Sequence, residues 1–174
     1  IGTKTKYDEL IFEEKSDAFT VSIGLSSDEK FFFITSSDHN TSEQYYFKVE
    51  EKTPYPKLIK KRKKGILYSI NSWYGKFYNH TNENAEDFKI DVSDSLENPN
   101  WKIFIPPKKE VLIGGCTFLK NWILRSETSN ALNKLFVRNV YTNIEEELIF
   151  SEEKIYVPSI SLIKRDKNTD EIYL

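Results

Sequence analysis

The side chains that carry most enzyme chemistry are scarce in this sequence. His39, His80 and Cys116 are the only imidazoles and the only thiol in 174 residues. A serine–histidine–aspartate relay needs a histidine beside a nucleophile held on a strained turn, usually within Gly-x-Ser-x-Gly. No such pentapeptide occurs. The glycine pair of Gly114-Gly115-Cys116-Thr117 comes nearest, and it falls in an expected inner strand, where tight packing near an axis accounts for it. Cys116 has no sequence partner that would stabilise a thiolate, so it reads as a small buried apolar side chain. His39 lies in the polar connection Ser36-Ser37-Asp38-His39-Asn40-Thr41-Ser42-Glu43, and His80 occupies the matching connection Asn79-His80-Thr81-Asn82. Neither has a second histidine or cysteine at metal-ligand spacing. No catalytic, cofactor-binding or metal-ligating residue is therefore expected, and no substrate-binding residue is assigned.

The charges read mostly as solvated surface. Glu145-Glu146-Glu147 and Glu152-Glu153 supply carboxylates, but any of them serves equally well as a strand flank. Lys60-Lys61-Arg62-Lys63-Lys64 is the strongest charge feature. It mimics a localisation signal or a phosphate-binding patch, yet it joins two expected strands where a solvated loop belongs. Asn40-Thr41-Ser42 and Asn79-His80-Thr81 match glycosylation acceptors, which mean little without a secretory signal. A net charge of -2 argues against nucleic-acid or membrane-surface partners, which need a dominant positive field. One cysteine fits a reducing, cytoplasmic setting. Methionine is absent even at position 1, so the chain is expected to be an internal piece of something longer or a trimmed product.

The elements that position these residues are short apolar runs cut by Gly, Pro, Asn, Asp and Ser clusters, the mark of strands and turns. Aromatic residues are 14% of the chain, while alanine occurs only at Ala18, Ala85 and Ala131, which favours pleated sheet over helix. The run Phe31 to Ile34 suits a strand covered on both faces. The runs also repeat. Phe32, Phe77 and Trp122 are spaced by 45 and 45 residues, and Leu58, Ile103 and Leu148 keep the same step. Small residues at Ser22, Ser69, Gly114 and Ser159 recur at 47, 45 and 45. Four short strands in that period is the size of one β-propeller blade, and small inner residues suit blades converging on a channel. An all-β sandwich with evenly spaced strands is the competing reading.

The expected fold is thus all-β, a partial β-propeller with about three complete four-stranded blades at residues 19–62, 66–105 and 111–150. Incomplete blades flank them at 8–13, where Leu10 to Phe12 forms a lone strand, and at 155–174, where Tyr156 to Leu162 and Glu171 to Leu174 form two.

Several stretches also resemble the N-terminal propeller of the prolyl oligopeptidase family of serine peptidases, in its oligopeptidase B group. They are Ile1-Gly2-Thr3, Asp8-Glu9-Leu10-Ile11-Phe12-Glu13-Glu14, Phe19-Thr20-Val21-Ser22, Ser36-Ser37, Thr41-Ser42-Glu43, Phe77-Tyr78-Asn79-His80-Thr81-Asn82 and Ile105-Pro106-Pro107 before Val111-Leu112. Their order and separations agree along nearly the whole chain. The resemblance implies a seven-bladed propeller capping an α/β-hydrolase domain that holds the catalytic residues and cleaves short peptides after lysine or arginine. It carries no catalytic role onto any residue here. It implies a gate that admits small peptides, with the hydrolase domain and short basic peptides as partners. Open blade edges lead further to an expectation of self-association. A stand-alone β-propeller or β-sandwich protein-interaction module without enzymatic activity, with Lys60 to Lys64 as its first contact, is the alternative.

Overall fold

The computed structural model describes residues 5–149, 161–162 and 168–173. Twelve of its strands form three four-stranded antiparallel sheets, each an up-and-down meander in chain order. The first holds β1 (Thr20–Leu25), β2 (Phe31–Ser37), β3 (Ser42–Lys48) and β4 (Lys57–Lys60). The second holds β5 (Tyr68–Trp73), β6 (Lys76–Thr81), β7 (Lys89–Ser93) and β8 (Lys102–Ile105). The third holds β9 (Leu112–Phe118), β10 (Trp122–Ser129), β11 (Leu132–Asn139) and β12 (Glu145–Leu148). A two-stranded pair follows, β13 (Ser161–Leu162) with β14 (Ile172–Tyr173). No helix among the described residues is long and apolar enough to cross a membrane.

Side chains alternate across a strand, so a sheet packed between two neighbours must bury both faces. β6 shows this directly. Phe77 points to the first sheet, its ring 5.3 Å from Phe31, while Tyr78 points to the third, 4.8 Å from Phe118. Two separate cores result. Phe33, Tyr46, Tyr68, Ile70, Phe77 and Leu96 fill the gap between the first and second sheets. Trp73, Tyr78, Ile90, Ile105, Ile113 and Phe118 begin the one between the second and third. A sandwich would have a single continuous interior; sheets stacked face to face in sequence, with a core in each gap, are propeller blades.

Tight hairpins connect the inner strands. Trp73 pairs with Lys76 across Tyr74-Gly75, both of which have positive φ (49° and 72°), the combination a two-residue type I′ turn requires. Gly75 supplies its half of that without steric cost.

The structure differs from expectation before β1. Leu10 to Phe12 is not a strand, because nothing among the described residues pairs with it in a ladder. The segment instead covers the face of the first blade that points away from the second. Phe12 packs 4.7 Å from Tyr45, and Glu14 accepts a 2.6 Å hydrogen bond from Ser36. Of the two strands expected at the other end, Tyr156 to Val157 lies outside the described residues, as do Ser159 and Glu152-Glu153.

Candidate functional site: the inner wall and its blade junctions

β1, β5 and β9 open their respective sheets, each paired on one side only. Together they form an inner wall, and the small residues Ser22 and Ser69 on it are exposed. Adjacent blades are stitched at equivalent points of this wall. Ser27 N–H donates to Asn71 Oδ1 at 2.8 Å, and Ser72 Oγ donates to Asp28 Oδ2 at 2.8 Å. One blade on, Tyr74 Oη donates to the Lys120 carbonyl at 2.6 Å. One further, Asn121 N–H and Nδ2 donate to Asp170 at 2.7 and 2.6 Å. The residue separations of 44, 46 and 49 track the blade period.

A second set of contacts joins the blades on the opposite side. Ser42 Oγ donates to the Tyr68 carbonyl and accepts from the Tyr68 N–H, at 2.8 and 2.7 Å. His80 belongs to this set, and here the expectation of a loop histidine is corrected. β6 runs on to Thr81, so His80 is a strand residue paired with Ser69 and Ile90. Its Nε2 lies 2.7 Å from the Ile113 carbonyl of the next blade, and its ring stacks on Phe88 at 4.6 Å. A carbonyl only accepts, so Nε2 carries the proton. Burial lowers the pKa of His80, against the opposite pull of the Ile113 carbonyl. Phe88 holds φ at 68°, an uncommon backbone for a bulky residue. His39, by contrast, is exposed on its connection.

Gly114 is required by close packing, though not at the axis. A Cβ there would collide with Ser126 Oγ and sit 3.0 Å from the Ser126 carbonyl of β10, where the ladder shifts register between Arg125 and Glu127. Cys116, one strand position beyond Gly115, is half-buried as a residue, and burial of the thiol pushes its pKa up to about 12. It is no nucleophile at neutral pH. Asn79 is only 9% exposed, which takes it out of reach of a glycosylating enzyme in the folded chain.

Two ionic networks go beyond what the sequence reveals. Arg125, 3% exposed, donates to Glu127 at 2.5 Å and to both oxygens of Glu145 at 2.6 and 3.1 Å, while Arg138 donates to Glu145 at 3.1 Å and Lys108 to Glu127 at 2.5 Å. Burial opposes the charge on Glu145, yet its hydrogen bonds from Arg125 and Arg138 hold its carboxyl below the ordinary range. Glu145 is thus an internal ion-pair partner, not a solvated flank. Arg62 donates to Glu14 at 2.6 Å and stacks on Phe19, and Lys60 is paired with Glu83. The basic run is therefore a free loop only in part. Ser36 does most to hold the Glu14 carboxyl down at about 2. The Arg138–Glu145 pair is a direct cross-strand register pair, which sequence reveals only once the register is known.

None of this assembles a nucleophile with a base, and comparison with known proteins says why. The family described as prolyl oligopeptidase, N-terminal beta-propeller domain, matches residues 1–174. The chain belongs to that family. As a prolyl oligopeptidase propeller it is 38% identical over 90 residues to Protease 2 of Moraxella lacunata, covering 52% of this chain and 13% of that protein. It is 24% identical over 164 residues to dipeptidyl aminopeptidase BI of Pseudoxanthomonas mexicana, covering 92% and 22%. Its fold matches oligopeptidase B from Trypanosoma brucei, solved with covalently bound antipain in a closed form, with a TM-score of 0.86 at 20% identity over 98% of this chain and 25% of that one. Oligopeptidase B from Leishmania major follows at 0.83 and 15%, with the same coverage. The chain thus spans a quarter or less of the length of these relatives, and what it contributes is the non-catalytic propeller.

Proposed function

We propose that this chain is the gating portion of a serine oligopeptidase that cleaves short peptides after lysine or arginine, working against an α/β-hydrolase domain supplied by further sequence. The family match over all 174 residues carries this reading. The inner wall gives it a physical basis. Blades fixed to one another at each junction among the described residues make a rigid rim, and a rim excludes a folded protein by size while passing an extended peptide. Selection then comes from steric exclusion and from movement of one domain against the other. A prolyl endopeptidase that this chain matches at TM-score 0.80 and 19% identity, over 99% of this chain, is one of two in which inter-domain dynamics has a role in catalysis and specificity. A single cysteine in the sequence, with no second one to pair with, suits a reducing, cytoplasmic setting.

The test uses the whole polypeptide that carries this segment. It is expected to hydrolyse a fluorogenic arginyl reporter and to leave uncut a folded protein displaying the same arginyl sequence. Equal cleavage of the folded protein removes the gate, and faster cleavage after proline than after arginine removes the assignment to basic peptides. The 174-residue chain alone is expected to leave the reporter intact.

A further inference from the structure

Blades that radiate from an axis diverge outward, so the gap between neighbouring sheets needs progressively more side-chain volume to fill it. Between the second and third sheets that filling stops short on the side of the Tyr74-Gly75 turn, leaving a cleft of about 380 Å³. Alternation along β6 turns Lys76 and Tyr78 towards it, and the ladder sets Val92 opposite Tyr78. Phe104 completes that wall, its ring edge-on to Tyr78 at 5.2 Å. Ile123 and Val140 of the third blade form the facing wall.

Two polar groups on the β6 wall of this cleft are open to a ligand. Tyr78 is 8% exposed, yet its hydroxyl is not shut off from the cleft and makes no hydrogen bond among the described residues. Burial pushes its pKa up to about 12, so it remains a hydrogen-bond donor. Lys76, two residues along on the same face, is held only by Asp94 at 2.8 Å, with their side chains 50% and 80% exposed. Exposed pairs of that kind exchange readily. Arg138 packs 4.5 Å from the Phe104 ring, but its charge is met by Glu145, so Lys76 is the cation the cleft has to offer.

We propose that this cleft binds a single-ring aromatic carboxylate. The ring lies between Phe104 and the Ile123–Val140 wall, and the carboxylate takes one hydrogen bond from the Lys76 ammonium, displacing Asp94, and one from the Tyr78 hydroxyl. A phenol and an ammonium two residues apart on one strand face converge on one anion, and aliphatic and aromatic walls supply the area that an isolated ion site lacks. Such a ligand has two sources, a free aromatic acid or the C-terminal aromatic residue of a peptide.

Methyl-detected NMR on the whole polypeptide that carries this segment tests this, with Ile123 and Val92 as reporters and three probes: 3-phenylpropionate, N-acetyl-alanyl-phenylalanine, and the C-terminal amide of that dipeptide. The acids are expected to shift the reporters at millimolar concentration, and the amide to bind ~10-fold more weakly, as the loss of a charge-assisted pair demands. Shifts from phenylpropionate alone identify the free acid as the source, and tighter binding of the dipeptide acid identifies a peptide end. Lys76→Gln, an exposed substitution, is expected to bring acid binding down to the level of the amide with an unchanged unfolding midpoint, and Tyr78→Phe to weaken it several-fold. Equal binding of acid and amide, undiminished binding by Lys76→Gln, or no reporter shift with either acid overturns the proposal.

Discussion

His80 Nε2 sits 2.7 Å from the Ile113 carbonyl, tying the second blade to the third through a neutral imidazole. Its Nδ1 faces Gly115, where even an added Cβ would lie 4.0 Å away. Protonation would place a buried charge on that side without a carboxylate to meet it. Because burial depresses the folded-state pKa below 6.5, the neutral form's contribution to stability is complete above the unfolded value and is lost as pH falls through the folded one. The unfolding midpoint is expected to drop between pH 7 and pH 5 with a slope of at most one proton, about 1.4 kcal/mol per pH unit. His80→Gln, which keeps a donor for Ile113, should flatten that slope. A parallel pH profile for the variant would assign the acid sensitivity elsewhere.

Arg125 is expected to be the most sensitive charged position in the third blade. Removing its side chain strands Glu145 with Arg138 alone and leaves Glu127 dependent on the half-exposed Lys108. Arg125→Ala should cost about 3–5 kcal/mol, the usual result of breaking a buried pair from one side. Urea unfolding monitored by tryptophan fluorescence reads this directly. A loss below about 1 kcal/mol would mean that water reaches the carboxylates as freely as at an exposed pair.

The architecture is legible in the sequence because it repeats. Phe32, Phe77 and Trp122 all fall on the second strand of a blade, and Leu58, Ile103 and Leu148 on the fourth, so spacing alone sets the sheet count. The ionic networks are not legible, since Glu14 and Arg62 are 48 residues apart and meet only when a segment before β1 folds over the first blade. Nor is the length of β6. Asn79-His80-Thr81-Asn82 has the composition of a turn, and tertiary pairing with Ser69 and Ile90 overrides that local preference. Gly114 reads from its spacing as an axis residue, yet its constraint is Ser126, revealed only by the bulge in the register.

The crowding at Gly114 yields a paired test. Gly114→Ala forces a methyl against Ser126, including a backbone oxygen that cannot rotate away, and should destabilise by about 1–3 kcal/mol. Gly24→Ala on β1 meets nothing within 4 Å and has ordinary φ, so it should be neutral or stabilise by up to about 1 kcal/mol through the unfolded state. Differential scanning calorimetry of the two variants separates crowding within the blade from crowding at the wall. If Gly24→Ala proved the more damaging, the inner strands would lie closer together than their side-chain environment indicates.

Self-association of the 174-residue segment on its own is the remaining expectation, and β1 is where it should act. Val21 and Ile23 point away from the second blade and are 49% and 57% exposed, unlike the corresponding positions of β5 and β9, where Tyr68, Ile70 and Ile113 are buried against a neighbour. Placing two such apolar side chains against a second copy removes them from water, a gain of about 1.5–3 kcal/mol for each one fully buried. Sedimentation velocity at tens of micromolar should therefore detect a dimer, and Val21→Lys with Ile23→Lys should return it to monomer without lowering the unfolding midpoint of the monomer. A monomer before substitution would show that residues 8–19 already shield this face well enough to remove the driving force.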